Sequence, residues 1–269
     1  MTAIETKTYH VPLGASTVDL VVEERGEGQP FLLLHGGAGP QSMSRFAGLL
    51  AERHHARALT PTHPGFAKTA RPDGLKSPKD LAELYAAFLK QLGLNGVTVV
   101  GNSVGGWIAA ELALLATPQV SRIALVGGVG IEVAGHPVQD ISKLTLDQVM
   151  SLSYYNPEPF RIDPTKMTEE QRVIAASNRT ALQVYAPRNS DPTLLSRISK
   201  ISLPVLVVSG EADRIVPSEY GRAWAKAIPG AEFQLLPRTG HVPQIETPEL
   251  LLETVWSFGQ GVPAAGPAV

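Results

Sequence analysis

The eleven residues from Val97 to Trp107 restrict this chain more than any other stretch. A β-branched apolar run, Val97-Thr98-Val99-Val100, ends in Gly101-Asn102-Ser103-Val104-Gly105, and an Ala/Leu-rich helical pattern follows. The chain must pass from a buried strand through a sharp turn into a helix. Such a turn holds its central residue, Ser103, in a strained backbone conformation and lifts the hydroxyl clear of the sheet. Gly101 and Gly105 fall where neighbouring backbone passes so close that a Cβ would clash. The helix that starts near Val104 aims its unpaired N–H groups at the same point and favours negative charge there. With 25 glycines in the chain, the five-residue pattern alone carries little weight. Its place between this strand and this helix gives it meaning.

Composition narrows the class of partner. The chain has 269 residues, is 43% hydrophobic and 18% charged, and carries a net charge of −2. That length suffices for one large α/β domain with a sizeable core. No basic stripe is present, so nucleic acid and anionic membrane surfaces are not expected partners. Cysteine is absent, which removes disulfides, thiol catalysis and cysteine-ligated metals. Met1 to His10 lacks the apolar segment of a secretory signal, and no run is long enough to span a membrane. The expectation is a cytoplasmic protein, monomer or homodimer, acting on a small molecule without metal or organic cofactor.

The periodicities alternate. Residues 5–24 read as two short strands, with apolar/polar alternation in Thr17-Val18-Asp19-Leu20-Val21-Val22. Phe31-Leu32-Leu33-Leu34 is a buried strand that runs into His35-Gly36-Gly37-Ala38-Gly39. A helix with Phe46, Leu49 and Leu50 follows, then a strand over 56–60 that enters Pro61-Thr62-His63-Pro64-Gly65-Phe66. Ser77, Pro78 and Asp80 form a helix start ahead of Leu81, Leu84, Tyr85, Phe88 and Leu89 at helical spacing. Further strands are predicted at 123–126, 205–208 and 232–236, with helices at 219–227 and after Thr247-Pro248. Continuous apolar strands alternating with amphipathic helices imply a mostly parallel sheet covered on both faces. Ligands of such sheets bind beyond the carboxyl ends of the strands, where the glycine-rich turns fall.

Residues 130–200 break this rhythm. Short helical patterns near 144–152, 168–184 and 191–198 are separated by prolines, with no long apolar strand. The segment reads as a helical cap laid over the strand ends. The core is then 1–129 with 201–260, and 261–269 is a flexible tail.

A serine hydroxyl is a weak nucleophile at neutral pH and needs a base, which in turn needs an orienting acid. Asp213, in Gly210-Glu211-Ala212-Asp213, follows the 205–208 strand, and His241 follows the 232–236 strand. Glu211 sits too near its strand end to reach. Asp163 and Asp191 lie in the insertion, and His10, His54, His55 and His136 have no partner signal. His63 is read first as a residue that holds its turn, with a place lining the site as the alternative. The oxyanion donors are expected to be the N–H of Val104 and the N–H of Gly37, with Ala38 as the alternative to Gly37. His35 is read as bonding its own loop.

Taken together, His35-Gly36-Gly37, His63-Pro64-Gly65-Phe66, Gly101-Asn102-Ser103-Val104-Gly105-Gly106, Asp213 and Gly240-His241 resemble the α/β-hydrolase fold superfamily over about residues 10–258. The resemblance implies an eight-stranded α/β-hydrolase sheet with helices on both faces, a helical cap, and a triad of Ser103, Asp213 and His241. Dehalogenases and epoxide hydrolases of this fold attack with aspartate, so Ser103 separates the chain from them. Proline iminopeptidases have proline where this chain has Ala38. The Gly-Asn-Ser-x-Gly-Gly form is similar to hydrolases of carbon–carbon bonds in aromatic ring-cleavage products, although those commonly have tryptophan where Val242 stands. The expected function is a carboxylesterase for small to medium apolar esters. The first alternative is a carbon–carbon hydrolase of dienoic keto acids, for which Arg172 or Arg179 would supply a carboxylate-binding cation. The second is a non-catalytic small-molecule binding protein of this fold. Met150, Tyr154, Tyr155, Phe160 and Met167 either wall the substrate pocket or pack the cap onto the core.

Overall fold

The computed structural model describes residues 3–260. The predicted tail, 261–269, lies outside the described residues. Eight strands form one sheet: β1 (Ile4–Leu13), β2 (Ser16–Arg25), β3 (Gln29–Leu34), β4 (Ala56–Pro61), β5 (Val97–Asn102), β6 (Val120–Val126), β7 (Val205–Gly210) and β8 (Glu232–Leu236). Their order is β1-β2-β4-β3-β5-β6-β7-β8. The β1–β2 and β2–β4 pairs are antiparallel, and the remaining five are parallel, so the sheet is mixed. The two strands expected within 5–24 form a ten-residue by ten-residue hairpin, longer than the alternation alone suggested.

The parallel strands are buried on both faces because their alternate residues feed different cores. Leu32 and Leu34, Ile123 and Leu125, and Val205 and Val207 belong to one cluster with residues of α2 (Pro78–Gln91), α3 (Val104–Leu114) and α7 (Ser218–Ala227). Phe31 and Leu33, Ala124 and Val126, and Leu206 and Val208 pack the other way, with α1 (Ser44–Arg53) and α9 (Pro248–Gly259). The period-two pattern of each strand thus becomes two hydrophobic layers.

Most helix starts follow the sequence signals. Ser77 and Asp80 form a reciprocal capping box at α2. Thr247, between the short α8 (Pro243–Glu246) and α9, does not cap α9: its hydroxyl instead shares a hydrogen bond of 3.0 Å with Thr239 Oγ1, on the loop after β8.

Between β6 and β7 the chain carries α4 (Leu146–Ser153), α5 (Glu169–Tyr185) and the short α6 (Leu194–Arg197). Thr145 with Gln148 and Thr168 with Gln171 supply capping boxes to the first two. Arg197 binds Glu111 of α3 through two bonds of 2.7 Å and Asp191 through another of 2.7 Å, which fastens the end of this segment to the core. Among the described residues no helix is long and apolar enough to cross a membrane.

Candidate active site

Four loops meet beyond the carboxyl ends of β3, β5, β7 and β8. At the end of β5, Ser103 has φ 57° and ψ −118°, a left-handed value that side chains with a Cβ rarely adopt. Neighbouring backbone fixes the turn. A Cβ on Gly101 would stand 2.1 Å from Gly105 O, and one on Gly105 2.2 Å from Leu34 O, as the sequence anticipated. The Ser103 N–H donates to Val126 O at 2.9 Å, while its carbonyl receives Gly106 and Val129 N–H.

Asp213 is buried, and its carboxylate accepts three hydrogen bonds. Ile215 and Val216 N–H donate to Oδ1 at 2.8 Å each, and His241 Nδ1 donates to Oδ2 at 2.8 Å. With Nδ1–H committed to the carboxylate, Nε2 is the free imidazole nitrogen. Gly127, at φ +53°, packs beneath this pair, where a Cβ would stand 3.1 Å from His241 Nδ1. The backbone of His241 is held at both ends. Its N–H donates to Ser153 O at 2.7 Å, and its carbonyl accepts from Asn102 Nδ2 at 2.9 Å. Asn102 also donates to Val126 O at 3.1 Å and accepts from buried Gln244 at 3.0 Å. The residue before Ser103 therefore ties the elbow to the histidine loop, a role its position in the motif does not announce.

Ser103 and His241 share the wall of one cavity of about 50 Å³. Among the described residues no hydrogen bond joins Ser103 Oγ to the imidazole. The cavity is otherwise mostly aliphatic: Val104, Val129, Val138, Ile141, Leu182 and Ile215 line it, with Ser153, Gln139 and Asn189 as polar members. A larger open groove of about 430 Å³ runs past Tyr155, Phe160, Arg238 and Glu246. It holds none of the three triad candidates, so the smaller cavity is the candidate site.

Gly36 lies against the elbow, since a Cβ there would stand 3.0 Å from Ser103 Cβ. The N–H groups of Gly37 and Val104 have no hydrogen-bond partner among the described residues. Ala38 is exposed, and its carbonyl accepts from Asn178.

The loop is held by two fully buried imidazoles. His35 Nδ1 donates to Gly36 O at 2.8 Å, and its Nε2 accepts the His63 N–H at 3.1 Å. His63 Nε2 donates to His35 O at 2.9 Å, and the Tyr85 hydroxyl donates to His63 Nδ1. Each ring is neutral and has both nitrogens satisfied. Burial pushes the His63 pKa down to about 4. Burial, with the His63 charge second, pushes His35 well below its ordinary range. His63 therefore holds its turn and does not line the cavity.

Among the insertion residues, Met150, Tyr154 and Phe160 follow the packing reading. Met150 and Tyr154 are buried with Val242, and Tyr154 stacks on Phe160 at 4.6 Å, so these residues pack rather than line the Ser103 cavity. Tyr155 is exposed in the outer groove. Arg172 and Arg179 are exposed, and Arg172 pairs with Glu169 at 3.5 Å, so neither supplies a cation to the cavity. Val129, Val138, Ile141 and Leu182 were missed, because nothing in their spacing separates a pocket wall from a packing face.

An eight-stranded α/β sheet with a serine at the β5 elbow and a carboxylate-bound histidine beside the same cavity defines the serine hydrolases of the α/β-hydrolase fold. The comparisons with known proteins agree. The model of the alpha/beta hydrolase family matches residues 31–254. The chain is 31% identical over 254 residues to 2-hydroxymuconate semialdehyde hydrolase of Pseudomonas putida, covering 88% of this chain and 89% of that protein. It is 27% identical over 263 residues to 2-hydroxy-6-oxo-6-(2'-aminophenyl)hexa-2,4-dienoic acid hydrolase of Metapseudomonas resinovorans, covering 91% and 89% of the two chains. Its fold is shared with an esterase from Exiguobacterium antarcticum, with a TM-score of 0.77, 21% identity, and coverage of 95% and 100%. The chain belongs to the α/β hydrolase family and is a serine hydrolase of that superfamily.

Proposed function

We propose that this protein hydrolyses a carbon–carbon bond beside the ketone of small dienoic keto acids of the ring-cleavage type, with Ser103, His241 and Asp213 as its triad. The observation that carries the reading is a carboxylate-bound imidazole and the elbow serine on one cavity, in a chain whose curated relatives carry dienoate and semialdehyde hydrolase names. This replaces the sequence expectation of a carboxylesterase with its first alternative.

In this mechanism the dienol first becomes its keto form, moving the hydroxyl proton to the carbon next to the 6-oxo group. Ser103 Oγ then attacks the 6-oxo carbon while His241 Nε2 takes its proton. The Gly37 and Val104 N–H groups bind the resulting oxyanion. Collapse breaks the carbon–carbon bond and sends its electron pair into a conjugated dienolate, which takes the proton from His241. Water, activated by the same histidine, cleaves the acyl-enzyme. Asp213 orients the imidazole and stabilises its charged form. Residues 130–200 act as a cap over the core formed by 1–129 and 201–260. No cofactor enters this sequence of steps.

Ester hydrolysis is the second reading. It is favoured by the cavity lining, which carries no lysine or arginine among its described residues, with Arg172 and Arg179 in solvent. A paired assay of wild type and Ser103→Ala on a methyl-terminated 2-hydroxy-6-oxo-dienoate and on 4-nitrophenyl acetate separates the two. Fast loss of dienoate absorbance in wild type alone supports carbon–carbon hydrolysis. Fast ester turnover with an untouched dienoate establishes the esterase. Full activity of Ser103→Ala on either substrate overturns the mechanism.

A further inference from the structure

The cap helix α5 is fastened directly onto the loops around the proposed oxyanion site. Ser177 Oγ donates to Gly65 O at 2.8 Å and accepts the Lys68 N–H at 3.0 Å. Asn178 accepts the Ala67 N–H at 2.8 Å and donates to Ala38 O at 3.4 Å, and Tyr185 OH donates to Pro64 O at 2.9 Å. These residues, with Ala181, recur at helical spacing, so one face of α5 is pressed on 38–39 and 64–68. Leu182 lies on the same side, one turn after Asn178. A Cβ on Gly37 would stand 2.8 Å from Leu182 Cδ2, and Leu182 lines the cavity with Ser103 and His241.

We infer that Leu182 is the specificity-determining residue for the acyl fragment, and that the site takes a short acyl group of about acetyl size. The inference rests on Ser103 as nucleophile and goes beyond it in naming the residue that sets fragment size. The cavity beside Ser103 is about 50 Å³, where one water needs roughly 10–15 Å³ by the same measure. At that scale the carbon, oxygen and methyl of an acetyl group take up roughly 30–45 Å³, most of the space. Leu182 is the wall that stands on the donor glycine, so a longer chain bound with its oxygen at Gly37 meets this side chain first. The hydrogen bonds on either side of Leu182 keep α5 from moving aside with it. A shortened side chain opens space next to the donor without touching Ser103, His241 or Asp213.

The test uses Leu182→Ala, Leu182→Phe and wild type on 4-nitrophenyl acetate, butyrate and octanoate. It is paired with the rate at which ethyl and decyl fluorophosphonates label Ser103, followed by intact mass. The labelling reports access to the serine whichever bond the enzyme cleaves in its own substrate. Wild type is expected to favour the short member of each series by at least about tenfold, the scale on which a methylene or two is discriminated. Leu182→Ala is expected to move that ratio toward the long member by about tenfold or more, and Leu182→Phe to move it the other way. Ratios unchanged within about twofold in both variants, with labelling of Ser103 intact, overturn the inference and leave the proposed function standing. Wild type that no probe labels overturns the proposed nucleophile, and the inference with it.

Discussion

Acidification is expected to loosen the protein between pH 6.5 and 4 through the His35–His63 pair. The His63 imidazole is fully buried and neutral, and burial lowers its pKa from 6.5 to about 4. The unfolded chain therefore binds a proton that the folded chain refuses across this window. Stability rises with pH wherever the unfolded state holds more protons. The contribution is complete above pH 6.5, declines as pH falls, and is gone below about 4. That gap corresponds to about 3 kcal/mol for this one ring, a large share of the stability of a domain. His35 acts in the same direction, because burial and then the neighbouring His63 disfavour its charged form. Carboxylates held low act later. Glu24 is pushed up by burial, but hydrogen bonds from Tyr9 and Arg57 outweigh this, so its loss comes only below about pH 4.5. The assay is urea unfolding of wild type and His63→Gln at intervals from pH 7.5 to 4.5, with the wild-type imidazole resonances titrated by NMR. Wild type should lose stability steeply below pH 6.5. His63→Gln should start lower, with a slope reduced by about 3 kcal/mol over the window. An equal slope in both proteins, or a His63 resonance that titrates near 6.5, refutes the reasoning.

Three further outcomes follow from the contacts. Asn102→Ala removes the donor to His241 O and is expected to lower kcat about tenfold or more with KM little changed, whereas a parallel rise in KM would argue against a histidine-positioning role. Gly127→Ala places a Cβ 3.1 Å from His241 Nδ1 at a φ of +53°, so kcat should fall while circular dichroism stays native; an unchanged kcat would show that the imidazole has room to spare. Arg197→Met leaves Glu111 buried without its bidentate partner and should cost about 3–5 kcal/mol, whereas adding Glu111→Leu should recover most of the loss; a double variant as unstable as the single one would contradict the unpaired-charge account.

The sequence by itself determined the strands, most helices and the line-up of the candidate triad, because each depends on short-range chemistry. Val97–Val100 before Gly101-Asn102-Ser103-Val104-Gly105 dictates a strand, an elbow and a helix, and the clash of a Cβ at Gly101 or Gly105 is a local fact. Ser77 and Asp80 cap α2 because partners three residues apart must meet there. Asp213 and His241 were legible from their places after strand ends. Contacts between distant segments were decided only by the tertiary structure. Thr247 stands at a helix start, yet its hydroxyl goes to Thr239. Arg172 and Arg179 share a helix face, but packing turns it to solvent. Asn102 reaches the carbonyl of His241 across 139 residues, and Leu182 comes to rest on Gly37. Periodicity fixes which face of an element is apolar, but the direction in which a finished helix docks fixes what that face touches. Which aliphatic side chains wall the cavity follows from the second and cannot be read from the first.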